Sequence, residues 1–328
     1  MDKLKKFFKP IGYLVAALSA GYLVVIFMNF DWHVLHFANP LRSMLFLLLF
    51  GGWASLFVIV GAYNWKLILE FVNGAPIPAK ELFPVYLKSN IAKYLPGNVM
   101  HYAGRNYLGS KLGWKNSEMA FSSLLEYVFG SGLTGIIIII FIVSGLVTIP
   151  PQITMKLNLN KIAGYSALGI VGALILIYLY RYFVRNEELR VTSRKLKDRA
   201  QRFCSVGFLA LCVKLSAISL VCFVLNCAFY FYLCDLVLDF HIRSVDFFNA
   251  NAALSIAGYM SILTPGVPGG LGVKESVSMV LMSVYGYPKE SLMMSLLVFR
   301  IACVLGDVLP YVLVKIYEGT SPRGANGI

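Results

Sequence analysis

The sequence predicts an all-α polytopic membrane protein, because its composition, its long apolar segments and the placement of its charges all favour that class. Of 328 residues, 58% are apolar or aromatic and 14% are charged, and the mean hydropathy is +0.72. Soluble domains average about 45–50% apolar and about 25% charged residues. The composition therefore excludes a water-soluble globular protein and a disordered one.

Six segments are long and apolar enough to cross a bilayer, which takes about 20 mostly apolar residues. The predicted transmembrane helices are Ile11–Phe30, Leu41–Leu69, Met119–Thr148, Ile162–Phe183, Val206–Leu236 and Ser291–Ile316. The first follows a basic N-terminal segment, but its apolar part is too long for a signal-peptide core and no small-residue cleavage site follows it. We expect it to be retained as a span.

Two further apolar segments are interrupted by Pro and Gly. Leu82–Leu112 carries Lys, Arg and His around a central YLPGN, and Phe247–Tyr285 contains TPGVPGGLG. At membrane depth, unpaired backbone groups survive only inside protein or beside a water-filled cavity. Each segment is too short for two crossings, which predicts two re-entrant hairpins of half-helices. A surface amphipathic helix for the first segment and a kinked span for the second are the alternatives.

Basic residues collect in alternate loops. The N-terminal side of the predicted topology holds 21 Lys and Arg, and the opposite side holds six. The positive-inside rule then places both termini in the cytoplasm, with residues 185–203 as a basic cytoplasmic loop. The two hairpins consequently enter from opposite sides.

Hairpins that enter the membrane from opposite sides predict an inverted repeat within a single transmembrane domain, residues 1–328. Repeat 1 is a hairpin plus span over 81–148, and repeat 2 is the same unit over 246–317. GWKNSEMAFSSLLE in the first resembles GYPKESLMMSLLVFR in the second, with Glu126 opposite Arg300. Secondary transporters built from such repeats bind substrate near the membrane midplane.

Glu126 and Arg300 lie inside predicted spans, where a charged side chain costs several kcal/mol and usually faces a cavity or a partner. Two interpretations are open. The residues form a structural salt bridge between the repeats, or Arg300 contacts a phosphate while Glu126 holds a cation or proton.

The hairpin tips supply the other candidate residues. Asn98 is suited to cap a half-helix, and a helix N-terminus attracts phosphate. The Gly-rich tip of the second hairpin allows close backbone approach. The predicted substrate-binding residues are Lys93, Asn98, Arg105, Glu126, Gly269, Gly270, Lys274, Glu275 and Arg300.

Signatures of catalysis are missing from the sequence. HExxH, GxSxG and GxxxxGK[ST] do not occur, and the six Cys show no CxxC spacing. We therefore predict no catalytic residues, no metal and no cofactor. The net charge of +13 fits cytoplasmic loops and anionic lipid headgroups, and not nucleic acid.

The LPGN hairpin with Arg105 downstream, in-span Glu126, PGVPGGLGVKE and in-span Arg300 together resemble the lysylphosphatidylglycerol synthase transmembrane family. Its members are flippase-like membrane proteins of bacteria and archaea. The resemblance implies translocation of an anionic phospholipid or a polyprenyl-linked lipid, with envelope-synthesis enzymes as possible partners. Other members carry a C-terminal domain that aminoacylates phosphatidylglycerol. We expect a stand-alone member without it, in the cytoplasmic (inner) membrane.

A flippase-like transporter is therefore the leading hypothesis, and the protein is not expected to be an enzyme. The alternative is a membrane enzyme acting on polyprenyl phosphates, either a phosphatase or a glycosyltransferase. Polyprenyl-diphosphate phosphatases also use opposed re-entrant hairpins, but Glu275 and Ser276 have no second carboxylate beside them in the sequence. A non-transporting scaffold for an envelope synthase is a third possibility.

Overall fold

A computed structural model describes residues 40–94, 100–148, 203, 205–238, 240–263, 270 and 272–320. These residues form α-helices, two short 3₁₀ turns and loops, without a strand among them. The helices are α1 Pro40–Asn73, α2 Ala79–Asn90, α3 Met100–Lys111, α4 Asn116–Val143, α5 Val206–Leu238, α6 Phe247–Leu263, α7 Val273–Ser283 and α8 Lys289–Thr320. The 3₁₀ turns are Ile91–Tyr94 and Ser244–Asp246. The predicted all-α class is confirmed for this part of the chain.

Helices α1, α4, α5 and α8 are long and apolar enough to cross a membrane. They correspond to four of the six predicted spans, and the protein is a multi-pass membrane protein. The other two predicted spans, Ile11–Phe30 and Ile162–Phe183, lie outside the described residues, as does nearly all of the 185–203 loop.

Helix α4 ends at Val143, five residues before the end of the predicted span Met119–Thr148. Gly145 has a φ of 77°, a left-handed conformation that glycine adopts without strain. The Val147 N–H then donates to the Phe141 carbonyl at 2.9 Å and closes the helix end. The sequence stays apolar past this point, so composition alone overestimates the length of the helix.

Both interrupted segments fold as paired short helices. Helices α2 and α3 contact each other and, together with the Ile91–Tyr94 turn, form hairpin 1. Helices α6 and α7 contact each other and form hairpin 2. Most of the two tips, residues 95–99 and 264–269, lies outside the described residues. The pairing agrees with the predicted helical hairpins, while their depth in the membrane and their sides of entry stay predictions.

Contacts divide the chain into two compact units, residues 1–147 with 217–328 and residues 148–216. In the second unit, the described residues are mainly the first part of α5. Every site residue discussed below belongs to the first unit.

Helices α1 and α8 form the most extensive helix pair in the described part of the chain. Gly306 of α8 lies directly against Ala54 of α1, and a Cβ atom added at Gly306 would lie 2.4 Å from the Ala54 Cβ. Beside this contact, Phe229 of α5 packs on Phe50 and Phe299, with ring centroids 5.4 and 5.2 Å apart. Small residues thus allow close approach, and aromatic rings fill the space beside them.

The start of hairpin 2 is fixed to the loop before α8 by a polar cluster. The Tyr287 hydroxyl donates to Asp246 at 2.8 Å and accepts from the Arg243 backbone N–H at 3.0 Å. Arg243 Nε also donates to Asp246 at 2.7 Å. Burial raises the pKa of the Tyr287 phenol, so the phenol stays a hydrogen-bond donor at neutral pH.

We expect Gly306→Ala to destabilise the protein by about 1–3 kcal/mol, because the added methyl group overlaps Ala54. Thermal unfolding of the detergent-purified protein measures the effect as a lower Tm. Gly319→Ala in the same helix is the matched control, since an added Cβ there meets no atom within 4 Å. Equal Tm values for the two variants would contradict close α1–α8 packing.

Candidate functional site

The described helices surround a cavity of about 840 Å³, a volume typical of small-molecule sites. Its wall combines aromatic and apolar side chains with a set of charged and polar groups. We call the four charged residues of the wall the charged patch: Lys93, Lys274, Arg300 and Asp307. All four interact electrostatically with the Cys303 thiol, which places them around one region of the cavity.

Asp307 of α8 is 2% exposed and receives three hydrogen bonds from hairpin 1. Its Oδ1 accepts from Asn90 Nδ2 and from Lys93 Nζ, both at 2.7 Å, and its Oδ2 accepts from the Tyr94 hydroxyl. A buried carboxylate is tolerated when a cation and further donors satisfy it. These bonds fix the end of hairpin 1 against α8.

Arg300 and Lys274 of the charged patch have different surroundings. Arg300 Nη1 donates to Glu275 Oε1 at 3.1 Å, and Glu275 Oε2 accepts the Gly272 N–H at 2.7 Å. Lys274 Nζ lies 5.3 Å from the centroid of the Phe299 ring. Among the described residues no carboxylate forms an ion pair with Lys274. Lys274 is therefore the cation of the wall with the greatest capacity to attract an anion.

A second region of the wall is polar without charge. Tyr259 of α6 lies beside Thr134 and Tyr127 of α4. Asn226 Nδ2 donates to Asn251 Oδ1, joining α5 to α6. We call this set the uncharged patch: Tyr102, Tyr127, Thr134, Asn226, Asn251 and Tyr259.

Arg105 and Glu126 form a buried pair that is not part of the described cavity wall. Arg105 of α3 is 2% exposed and donates to Glu126 of α4. Its guanidinium carbon lies 3.9 Å from the centroid of the Tyr86 ring, a cation–π contact. The Tyr86 hydroxyl donates to the other Glu126 oxygen at 2.8 Å. The pair joins the two helices of hairpin 1 to the span that follows.

Of the two open interpretations, the structure does not show the salt bridge between Glu126 and Arg300. Instead of bonding to each other, Glu126 bonds to Arg105 and Arg300 bonds to Glu275. The alignment of the repeats predicts equal depth for Glu126 and Arg300, but residues at equivalent positions of two repeats need not touch. Each charge instead contacts the short helix that precedes its own span, because a tight turn packs that helix against it.

The remaining candidate residues are distributed as follows. Lys93, Lys274 and Arg300 line the cavity, while Glu275 lies behind Arg300. Gly270, with a φ of 68°, lies against Ser261, so its missing side chain permits close packing on α6. Asn98 and Gly269 are outside the described residues.

Asp307 and the uncharged patch are not among the residues that the sequence pattern singles out. Asp307 carries a usable signal, since it is an acidic residue within a span and follows Arg300 by seven positions, on the same helix face. The tyrosines and asparagines give no such signal, because these residue types also occur on lipid-facing and interfacial surfaces. No group of three or more His, Cys, Asp or Glu suited to a metal occurs in the part of the chain that the structure describes.

These features define a polytopic membrane protein with a cavity that has charged and polar groups in a largely apolar wall. The sequence matches the family described as lysylphosphatidylglycerol synthase TM region over residues 11–310. The match covers most of the chain, so the protein belongs to this family, as the sequence motifs predict. Membership associates it with membrane lipids. None of the curated proteins compared with the chain matches it.

We expect Arg105→Ala to lower stability by about 3–5 kcal/mol, because it leaves Glu126 buried without its cation. The double variant Arg105→Met with Glu126→Gln removes both charges and should recover much of the lost Tm. Lys115→Met is the control, since Lys115 is exposed where it pairs with Glu118 and such pairs contribute little. A double variant as unstable as Arg105→Ala would show that the charge pairing is not the cause.

Proposed function

We propose that the protein is a flippase-like transporter that moves an anionic phospholipid or a polyprenyl-linked lipid between the membrane leaflets. The observation that carries the proposal is a cavity with cations and other polar groups in its largely apolar wall, beside helices of membrane-spanning length. Membership of a lipid-related membrane family supports a lipid as the substrate.

The cavity would take the lipid headgroup while the acyl tails stay in the bilayer. Large apolar side chains of the long helices are exposed, as at Leu49 of α1, Ile139 of α4 and Leu225 of α5. Exposed apolar side chains on helices of membrane-spanning length fit contact with lipid. Charged and polar groups in the cavity wall and apolar side chains exposed on the helices match the two parts of a phospholipid.

Translocation without chemical conversion is the favoured activity. A polyprenyl-diphosphate phosphatase needs clustered carboxylates, and the described cavity wall contains one, Asp307, which Asn90, Lys93 and Tyr94 already hold. With no ATP-binding motif in the sequence, a gradient of ions or of the lipid itself would drive transport. We place the protein in the cytoplasmic membrane with both termini in the cytoplasm, as the basic loops favour.

The inverted repeat also belongs to this proposal. In both halves, a charge on the second helix of a hairpin pairs with a charge on the span that follows, Arg105 with Glu126 and Glu275 with Arg300. This recurrence supports two related units. Repeats of opposite orientation are a common basis for alternating access in secondary transporters.

Reconstitution into liposomes with fluorescent phosphatidylglycerol tests the activity. Loss of fluorescence from the inner leaflet, when a membrane-impermeant quencher is added outside, measures flipping against protein-free liposomes. Translocation at the protein-free rate for every anionic lipid tested would contradict the proposal. Release of phosphate from a polyprenyl diphosphate by the purified protein would favour the enzyme instead.

Lys274→Met should lower the rate of anionic lipid flipping about tenfold, because a hydrogen bond to a charged group contributes about 1.5–3 kcal/mol. Its described contacts include no ion pair, so the Tm should change little. Lys111→Met is the matched control, because Lys111 is exposed at the end of α3 and away from the cavity wall. Equal loss of rate in both variants would show that Lys274 has no specific role.

A further inference from the structure

We infer that the cavity selects lipids whose headgroup is anionic and rich in hydroxyl groups, such as a polyol or sugar phosphate, and rejects cationic aminoacylated headgroups. The inference rests on the proposed function, since it names the substrate class of the same cavity. It depends on how the carboxylates, cations and uncharged polar groups are distributed around the wall.

A cationic headgroup needs a carboxylate with open acceptor positions, and the described wall does not provide one. Asp307 accepts from an amide, an ammonium and a phenol, with donors on both of its oxygens. Glu126 and Glu275 lie outside the described wall, and each is bonded to an arginine and to one further donor. An ammonium group entering the cavity would have to displace one of these partners.

The charges of the wall also repel an ammonium group. The charged patch contains three cations and one carboxylate, and Lys274 has no carboxylate partner among the described residues. A phosphate near Lys274 gains a favourable interaction, whereas an added ammonium brings like charges together in a region of low dielectric constant. The patch therefore discriminates by charge.

The uncharged patch supplies the hydroxyl preference. Asn251 is already bonded through both its oxygen and its nitrogen, and Thr134 and Asn226 already donate within the protein. The acceptor oxygens of Thr134 and Asn226 and the phenol groups of the tyrosines match a hydroxyl group, which both donates and accepts. In the same wall, Asn64 Oδ1 and His101 Nδ1 are buried and have no hydrogen-bond partner in the described structure. A headgroup with several hydroxyls can bond to the uncharged patch while its phosphate meets the charged patch.

Binding of lipids to the purified full chain tests the inference without requiring transport. Thermal shift and native mass spectrometry in detergent would compare phosphatidylglycerol, phosphatidylinositol and lysylphosphatidylglycerol. We expect the first two to raise the Tm and to bind about tenfold or more tightly than the lysyl lipid, because its ammonium groups bring like charges together beside the charged patch. Equal or tighter binding of the lysyl lipid overturns the inference, and so does failure of both hydroxylated lipids to bind.

The two proposals fail separately. Selective binding without flipping in liposomes contradicts the transporter and leaves the headgroup preference standing. Flipping of phosphatidylglycerol and the lysyl lipid at equal rates, with equal affinities, contradicts the preference and leaves the transporter standing.

An added carboxylate should reduce or abolish the selectivity. Ser255→Asp places an acid in the cavity wall, and we expect it to raise the affinity for lysylphosphatidylglycerol about tenfold, the effect of one new charge-assisted contact. Ser110→Asp, at an exposed position outside the wall, is the matched control and should change nothing. Thr134→Asp provides a second position in the wall if Ser255→Asp does not fold. A folded variant at either position with unchanged lysyl-lipid affinity overturns the inference.

Discussion

A charge buried between membrane helices must have a fixed partner, and this requirement organises the described core. Three interactions meet it: Arg105 with Glu126, Glu275 with Arg300, and Asp307 with its three donors. Together they fasten both hairpins to the long helices. Because an unpaired buried charge costs several kcal/mol, these contacts restrict the positions that the short helices can take.

The cations of the cavity wall attract anions, but carboxylates of the protein already neutralise part of their charge. Two of its cations, Lys93 and Arg300, are already bonded to carboxylates, so a phosphate would share them with protein groups. The transporter proposed above would have to bind its substrate strongly enough to admit it and weakly enough to release it. Partial neutralisation of the charged patch suits that requirement better than three unpaired cations would.

Much of the fold follows from the sequence because apolar length alone determines whether a helix can span a bilayer. The Pro and Gly clusters likewise predict where the chain must break. Partner choice is different: Glu126 and Arg300 are recognisable as buried charges, but which charge each one meets depends on helix packing that spacing does not specify. The uncharged patch cannot be predicted from the sequence for a related reason. Tyr259 and Asn226 become part of a site only through the neighbours that the fold brings to them.

The order of charges differs between the two hairpins. In hairpin 1 the short helix carries the cation, Arg105, and the following span carries the anion; in hairpin 2 the short helix carries Glu275 and the span carries Arg300. If α3 docked on α8 during insertion, two guanidinium groups would meet, and if α7 docked on α4, two carboxylates would meet. Like-charge repulsion penalises both misassembled arrangements. The reversed polarity therefore disfavours an exchange of the two hairpins between the long helices.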